Sequence, residues 1–157
     1  MAPRLEASIN RAIDLCSETL KFSRDGAMPV KRAPFDLHDL ATEIGEELIA
    51  HAPEGQDWYF NNRIREGLEL NADREQLYRV IANMARNAFE AGALSVSVTE
   101  VQAPSDKEVA FDLEDDGPGM PPRAKENLFV PFAGSVRGGG TGLGLTIARE
   151  IVRAHGG

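Results

Sequence analysis

"VIANMARNAFEAG", running from Val80 to Gly92, has helical spacing yet carries Asn83 and Asn87 four residues apart on one face. Asparagine is a poor helix-interior residue, because its amide competes with the backbone for hydrogen bonds. Leu77, Ile81, Met84 and Ala88 form the apolar face of this helix, Asp73 is placed to cap it, and Gly92 closes it. Paired asparagines of this kind are structural or solvent-facing in most helices. They are also candidate ligands, since an asparagine carbonyl is a neutral oxygen suited to Mg²⁺.

On the C-terminal side, "LSVSVTEV" (94–101) and "EVAFDLED" (108–115) alternate apolar and polar residues around an "APSDK" turn, which predicts a hairpin. "EDDGPGM" follows at the strand's end. Asp115 stands where a carboxylate would accept a hydrogen bond from an exocyclic amine such as that of adenine, and Gly117 and Gly119 permit a tight turn. An ordinary acidic turn has the same composition. "PPRAKENLF" predicts a short helix with proline in its first turn.

"RGGGTGLGL" (137–145) is a glycine loop entering the last helix, "TGLGLTIAREIVRAHGG". Successive backbone N–H groups and a helix N-terminus make an anion site. The loop lacks the Lys-Ser/Thr ending of a P-loop, and Leu145 falls where G-x-G-x-x-G needs its third glycine. A flexible linker would not be expected to merge into so apolar a helix.

On the N-terminal side, "DWYFNNRI" reads as a strand and "LELNAD" as a short strand and turn. "FDLHDLATEIGEELIAH" reads as a helix with Asp36 as its N-cap and Leu37, Leu40, Ile44, Leu48 and Ile49 as its buried face. "DGAMPVKRAPF" (25–35), with Gly26, Pro29 and Pro34, reads as a linker. Before it, 5–24 carries an apolar stripe of Leu5, Ile9, Ala12, Ile13, Cys16, Leu20 and Phe22. That stripe fits either a helix hairpin or dimer bundle, or packing on its own domain. The pattern of helices interleaved with antiparallel strands predicts an α+β sandwich.

The 157 residues are 42% hydrophobic and carry a formal net charge of -8. That balance argues against a nucleic-acid surface. With Cys16 alone there is no internal disulfide, which fits a reducing compartment. No apolar run approaches the roughly 18 residues of a membrane span.

Taken in order, these motifs resemble those of a known superfamily. "NMARNAFEA" is similar to the N box, "DDGPGM" to the G1 box, "NLFVPF" to the F box and "GGGTGLGL" to the G2 box of the GHKL ATPases. Among them the chain is most similar to the ATP-binding domain of bacterial sensor histidine kinases. The resemblance covers about 36–157, while 1–25 resembles the second helix of those kinases' dimerisation hairpin and 26–35 a linker. The fold implied is a two-layer α/β sandwich of the Bergerat type, with a mixed, mostly antiparallel sheet and helices on one face.

The cofactors implied are ATP and Mg²⁺, with Asn87 as the Mg²⁺ ligand. Asn83 stands where hydrolytic relatives carry a glutamate that activates water. An amide there favours phosphoryl transfer to a side chain, through positioning rather than proton abstraction. The resemblance assigns Asp115, Gly117 and Gly119 to the adenine, and Gly140, Thr141, Gly142, Leu143 and Gly144 to the phosphates. Arg86 and Arg137 are further phosphate candidates, and Phe129 and Phe132 would anchor a short ATP lid over 121–140.

The implied activity is transfer of the ATP γ-phosphoryl group to a hairpin histidine, for relay to a response-regulator receiver domain. Homodimerisation through the N-terminal helix, a cytoplasmic location, and membrane attachment only through upstream segments go with it. The acceptor is expected before residue 1. His38 opens the ATP domain, His51 ends that helix, and His155 sits where a cation would meet a helix C-terminus favourably. About two further strands are expected after Gly157. The competing readings are a GHKL serine kinase acting on a partner protein and a non-catalytic phosphotransfer scaffold. The hairpin-like 5–24 speaks against the first and the intact boxes against the second.

Overall fold

The structure is a computed structural model that describes residues 29–130 and 143–157. The expected helix at 5–24 lies outside the described residues. So do Phe132, Arg137, Gly140, Thr141 and Gly142.

Two aspartates start the two long helices. Asp36 Oδ1 accepts the backbone N–H groups of His38 at 2.8 Å and Asp39 at 3.4 Å, capping α1 (Leu37–Ala50). Asp73 Oδ1 accepts the N–H of Gln76 at 3.1 Å, capping α2 (Arg74–Glu90). Each cap satisfies donors that a helix start leaves without a partner. Gly92, at φ 107°, follows the end of α2.

The strands are β1 (Ala33–Asp36), β2 (Tyr59–Arg63), β3 (Glu69–Ala72), β4 (Ser95–Val101) and β5 (Ala110–Asp115). β4 and β5 form the expected hairpin, in register from Val96 opposite Asp115 to Val101 opposite Ala110. β2 joins the other edge of β4, parallel rather than antiparallel, with Phe60 opposite Val96. A parallel partner needs a long crossover, and here the chain returns through β3 and α2. The three-stranded sheet is therefore mixed, in the order β2-β4-β5.

β1 corrects the linker assignment over 26–35. Its last residues, Ala33 onward, pair antiparallel with β3, setting Pro34 opposite Asn71. Proline removes a ladder donor, but among the described residues β1 has β3 as its one strand neighbour, and an edge strand tolerates that loss.

α1 and α2 pack on one face of the larger sheet. Leu37, Leu40, Ala41, Ile44 and Leu48 of α1 meet Leu77, Ile81, Ala85, Ala88 and Phe89 of α2 over Val96 and Val98 of β4. Ile49 is 45% exposed, so it does not belong to the buried face expected for α1. Trp58 stacks on Phe89 with ring centroids 4.4 Å apart and planes 7° from parallel, closing one end of the core.

α3 (Pro122–Glu126) is the short proline-started helix, and α4 (Gly144–Ala154) is the last. α4 has its own cluster, in which Leu143, Ile147, Ala148 and Ile151 pack on Val80 with Met84 alongside. α2 thus serves two cores, and Met84 belongs to the second rather than to the sheet side.

Candidate functional site

The two asparagines lie where α2 meets α4. A Cβ built on Gly144 would come 3.5 Å from Asn87 Nδ2 and 4.0 Å from Asn83 Cβ. Asn83 is half-buried and Asn87 exposed. Neither side chain hydrogen-bonds to another described residue. A half-turn of either amide exchanges its oxygen and nitrogen, so each can present an acceptor to a cation. α4 begins beside them, and Leu143 at its N-cap position contributes no side-chain cap. The N–H groups of a helix's first turn and its dipole favour an anion. α4 thereby brings a positive dipole end against the two amides.

Asp115 ends β5, as expected, and its carboxylate is exposed. Its Oδ1 accepts the N–H of Gly117 at 2.8 Å, which orients the carboxylate at the start of the turn. The turn sits on the end of α2, where a Cβ at Gly117 would be 2.7 Å from Asp115 Oδ1 and 3.3 Å from Ala93 Cβ. A side chain there would displace the Asp115 carboxylate. At Gly119 glycine is required by the backbone, whose φ is 74°.

Asp116 carries out a role that the sequence motif did not suggest. Its Oδ1 accepts the N–H groups of Leu94 at 2.8 Å and Ser95 at 2.9 Å, joining the G1 turn to the start of β4. Those two backbone donors hold its carboxyl below the ordinary aspartate value.

Arg86 is not brought to the α4 side. It lines a hollow of about 570 Å³ with Glu47, His51, Trp58, Phe89 and Glu90, between α2 and the end of α1. It also lies close enough to Tyr78 to oppose the upward shift of that phenol. Burial and the Glu47 hydrogen bond dominate there, pushing Tyr78 up to about 12. One helical position from Asn87 is a rotation of about 100°, and that rotation separates the two residues.

Phe129, expected as an anchor, is joined to α4 twice. Its carbonyl accepts from Thr146 Oγ1 at 3.4 Å, and the Arg149 guanidinium carbon lies 4.8 Å from its ring centroid. Thr146 is buried. The sequence reading missed both partners, although Thr146 and Arg149 share one face at three-residue spacing. Leu143 is fully buried beneath this contact region, in the α4 cluster rather than open to a ligand through its side chain.

Residues 72–157 match the family described as histidine kinase-, DNA gyrase B-, and HSP90-like ATPase. The chain is 31% identical over 159 residues to the alginate biosynthesis sensor protein KinB of Pseudomonas aeruginosa, covering 98% of this chain and 26% of KinB. It is 40% identical over 100 residues to the sensory histidine kinase/phosphatase NtrB of Salmonella typhimurium, covering 57% of this chain and 28% of NtrB. The chain thus spans about a quarter of the length of these curated relatives. Among solved structures it is similar to full-length ShkA in complex with AMPPNP, with TM-score 0.77 and 27% identity over 98% of this chain and 33% of ShkA. It is also similar to the mycobacterial sensor histidine kinase MprB, with TM-score 0.66 and 25% identity over 80% of each chain.

Proposed function

The chain belongs to the histidine kinase-, DNA gyrase B- and HSP90-like ATPases, as the ATP-binding catalytic domain of a histidine kinase, and from that premise we propose how its own residues act. The observation that carries the proposal is the meeting of Asn83 and Asn87 with the start of α4 at Gly144. Hard oxygen donors and backbone N–H groups are the chemistry that a magnesium-bound polyphosphate needs.

Asn87 is the Mg²⁺ ligand, through its amide oxygen. Mg²⁺ supplies charge neutralisation on the phosphates. The first turn of α4, from Gly144, offers backbone N–H groups to the phosphate oxygens; the resemblance adds Leu143, and Gly140, Thr141, Gly142 and Arg137, which lie outside the described residues, as further phosphate candidates. Asp115, oriented by the Gly117 N–H, accepts the adenine amine. Asn83 holds the phosphate end in place without acting as a base, since an amide does not take a proton at neutral pH. What remains is positioning for in-line transfer of the γ-phosphoryl group to an external nucleophile.

That nucleophile is a histidine on a dimerisation hairpin, and the phosphoryl group passes on to an aspartate of a response-regulator receiver domain. Residues 5–24 serve homodimerisation, and the domain works in the cytoplasm. None of His38, His51 and His155 is the acceptor. Each has its ring Nδ1 engaged with a backbone carbonyl at 2.7 to 2.8 Å, of Ile64, Glu47 and Ile151 respectively.

Incubating the chain with labelled MgATP, alone and with the full hairpin of its parent protein, tests this reading. Acid-labile phosphate on the hairpin, and none on the isolated chain, is the expected result. Phosphate on His38, His51 or His155 would refute the account of the acceptor. Absence of transfer despite measured nucleotide binding and hairpin docking would refute the kinase assignment.

A further inference from the structure

The chain enters the domain across the far end of α4. The Lys31 N–H donates to Asp73 Oδ2 at 2.9 Å. The Arg32 guanidinium donates to two carbonyls, that of Asn71 at 3.1 Å and that of His155 at 3.0 Å. His155 completes the cluster. Its Nδ1–H donates to the Ile151 carbonyl at 2.8 Å, and its Nε2 accepts the Asp73 N–H at 3.0 Å. With one nitrogen on the Ile151 carbonyl and the other on the Asp73 N–H, the ring is held from both sides. Residues 31–32, the start of α2 and the end of α4 are thereby fastened at one point.

α4 is an 11-residue helix, short enough to depend on tertiary contacts. Among the described residues these are its packing on α2 through Val80 and Met84, the Phe129 contact and the fastening at His155. A helix of this length places its start about 16 Å from its end. A change in how the C-terminal end is seated therefore tilts the N-terminal end against Asn83 and Asn87.

We propose that Arg32 and His155 are positioning residues that tie the chain entering the domain to α4, so that the seating of residues 29–32 sets how firmly nucleotide is held at the other end of that helix. This rests on the ATP-site reading above. Coupling between two sites is reciprocal. Nucleotide bound at the start of α4 therefore tightens the hydrogen bond between the Lys31 N–H and Asp73. Residues 31–32 thus report whether the site is filled.

The test uses the 157-residue chain and three variants, Arg32→Met, His155→Gln and His155→Ala. MgADP affinity is measured by calorimetry, and exchange of the Lys31 amide by NMR, with and without MgADP. Arg32→Met removes the guanidinium and keeps the aliphatic stem, so its nucleotide-free melting temperature serves as the folding control. The expected results are about a fivefold loss of affinity in Arg32→Met, a larger loss in His155→Ala than in His155→Gln, and slower Lys31 exchange with MgADP in the parent only. Glutamine retains an acceptor for the Asp73 N–H, and that is why it rescues in part. Parental affinity in both Arg32→Met and His155→Ala, with Lys31 exchange indifferent to MgADP, would overturn the proposal. A folded parent chain that binds no MgADP would overturn the ATP-site reading and this proposal with it.

Discussion

Asp115 and Asp116 are adjacent in sequence, yet their carboxylates serve different ends of the same turn. Asp116 Oδ1 binds two backbone donors, Leu94 and Ser95, across the start of β4. Asp115 Oδ1 binds only the Gly117 N–H within its own turn, which leaves acceptor capacity for a ligand. Neutralising each in turn should separate recognition from folding. Asp115→Asn should weaken ADP binding by roughly 1.5–3 kcal/mol, the range for a hydrogen bond to a charged group, with the melting temperature unchanged. Asp116→Asn should lower the melting temperature more than it lowers affinity. Calorimetry and thermal unfolding of both variants check this, and the reverse pattern would exchange their roles.

Asn87→Ala should abolish the Mg²⁺-dependent part of nucleotide binding and leave the fold intact. Asn87 is exposed in the last turn of α2, and alanine is the better helix former by up to about 0.7 kcal/mol. ADP titrations with and without Mg²⁺ should differ in the parent and coincide in the variant. A collapse of nucleotide-free stability would show instead that the amide is structural.

Gly117→Ala probes the adenine end by crowding. Its Cβ would stand 2.7 Å from Asp115 Oδ1, so the carboxylate must move and lose the Gly117 N–H. The Ala93 contact, at 3.3 Å, must also give slightly. The expected outcome is a loss of ADP affinity comparable to that of Asp115→Asn, with little further loss in the double variant, because both act on one hydrogen bond. Additive losses would place Gly117 in a separate role.

Acid stability should depend on Asp73 and Asp116. Burial raises the Asp73 carboxyl, but the Lys31 and Gln76 N–H groups and His155 outweigh it and the net shift is downward. Asp116 is shifted downward by Ser95 and Leu94. A carboxyl whose folded value lies below its unfolded value of about 3.9 binds fewer protons in the folded state. Its contribution is therefore complete above about pH 4 and is lost as pH falls through the folded value. Urea unfolding between pH 6 and pH 2 should show a shallower loss in the Asp73→Asn, Asp116→Asn double variant than in the parent. Parallel curves would remove both groups from the acid transition.

The β4–β5 hairpin was legible because alternation and a turn are local signals. Both long helices were legible from their caps, Asp36 and Asp73, and their apolar spacing. β1 was not, because Pro34 and its neighbours carry the composition of a linker, and their pairing with β3 depends on residues distant in sequence, Ala33 opposite Ala72. The parallel pairing of β2 with β4 was hidden for the same reason. Strand direction across a crossover leaves no mark in either strand.

For the site, the sequence by itself determined the chemical inventory. Two amides at one helical spacing, a carboxylate at a strand end and a glycine-rich entry to a helix follow from residue type and local periodicity, which tertiary packing does not alter. Only the tertiary structure decided which of these groups meet. It set Asn83 and Asn87 against Gly144, turned Arg86 toward α1, made Asp116 a clamp on β4, and bonded His155 at the end of α4 to Asp73 at the start of α2. The physical reason is that backbone hydrogen bonds to a side chain, and the rotation of one helix face against another, are settled by packing between elements distant in sequence.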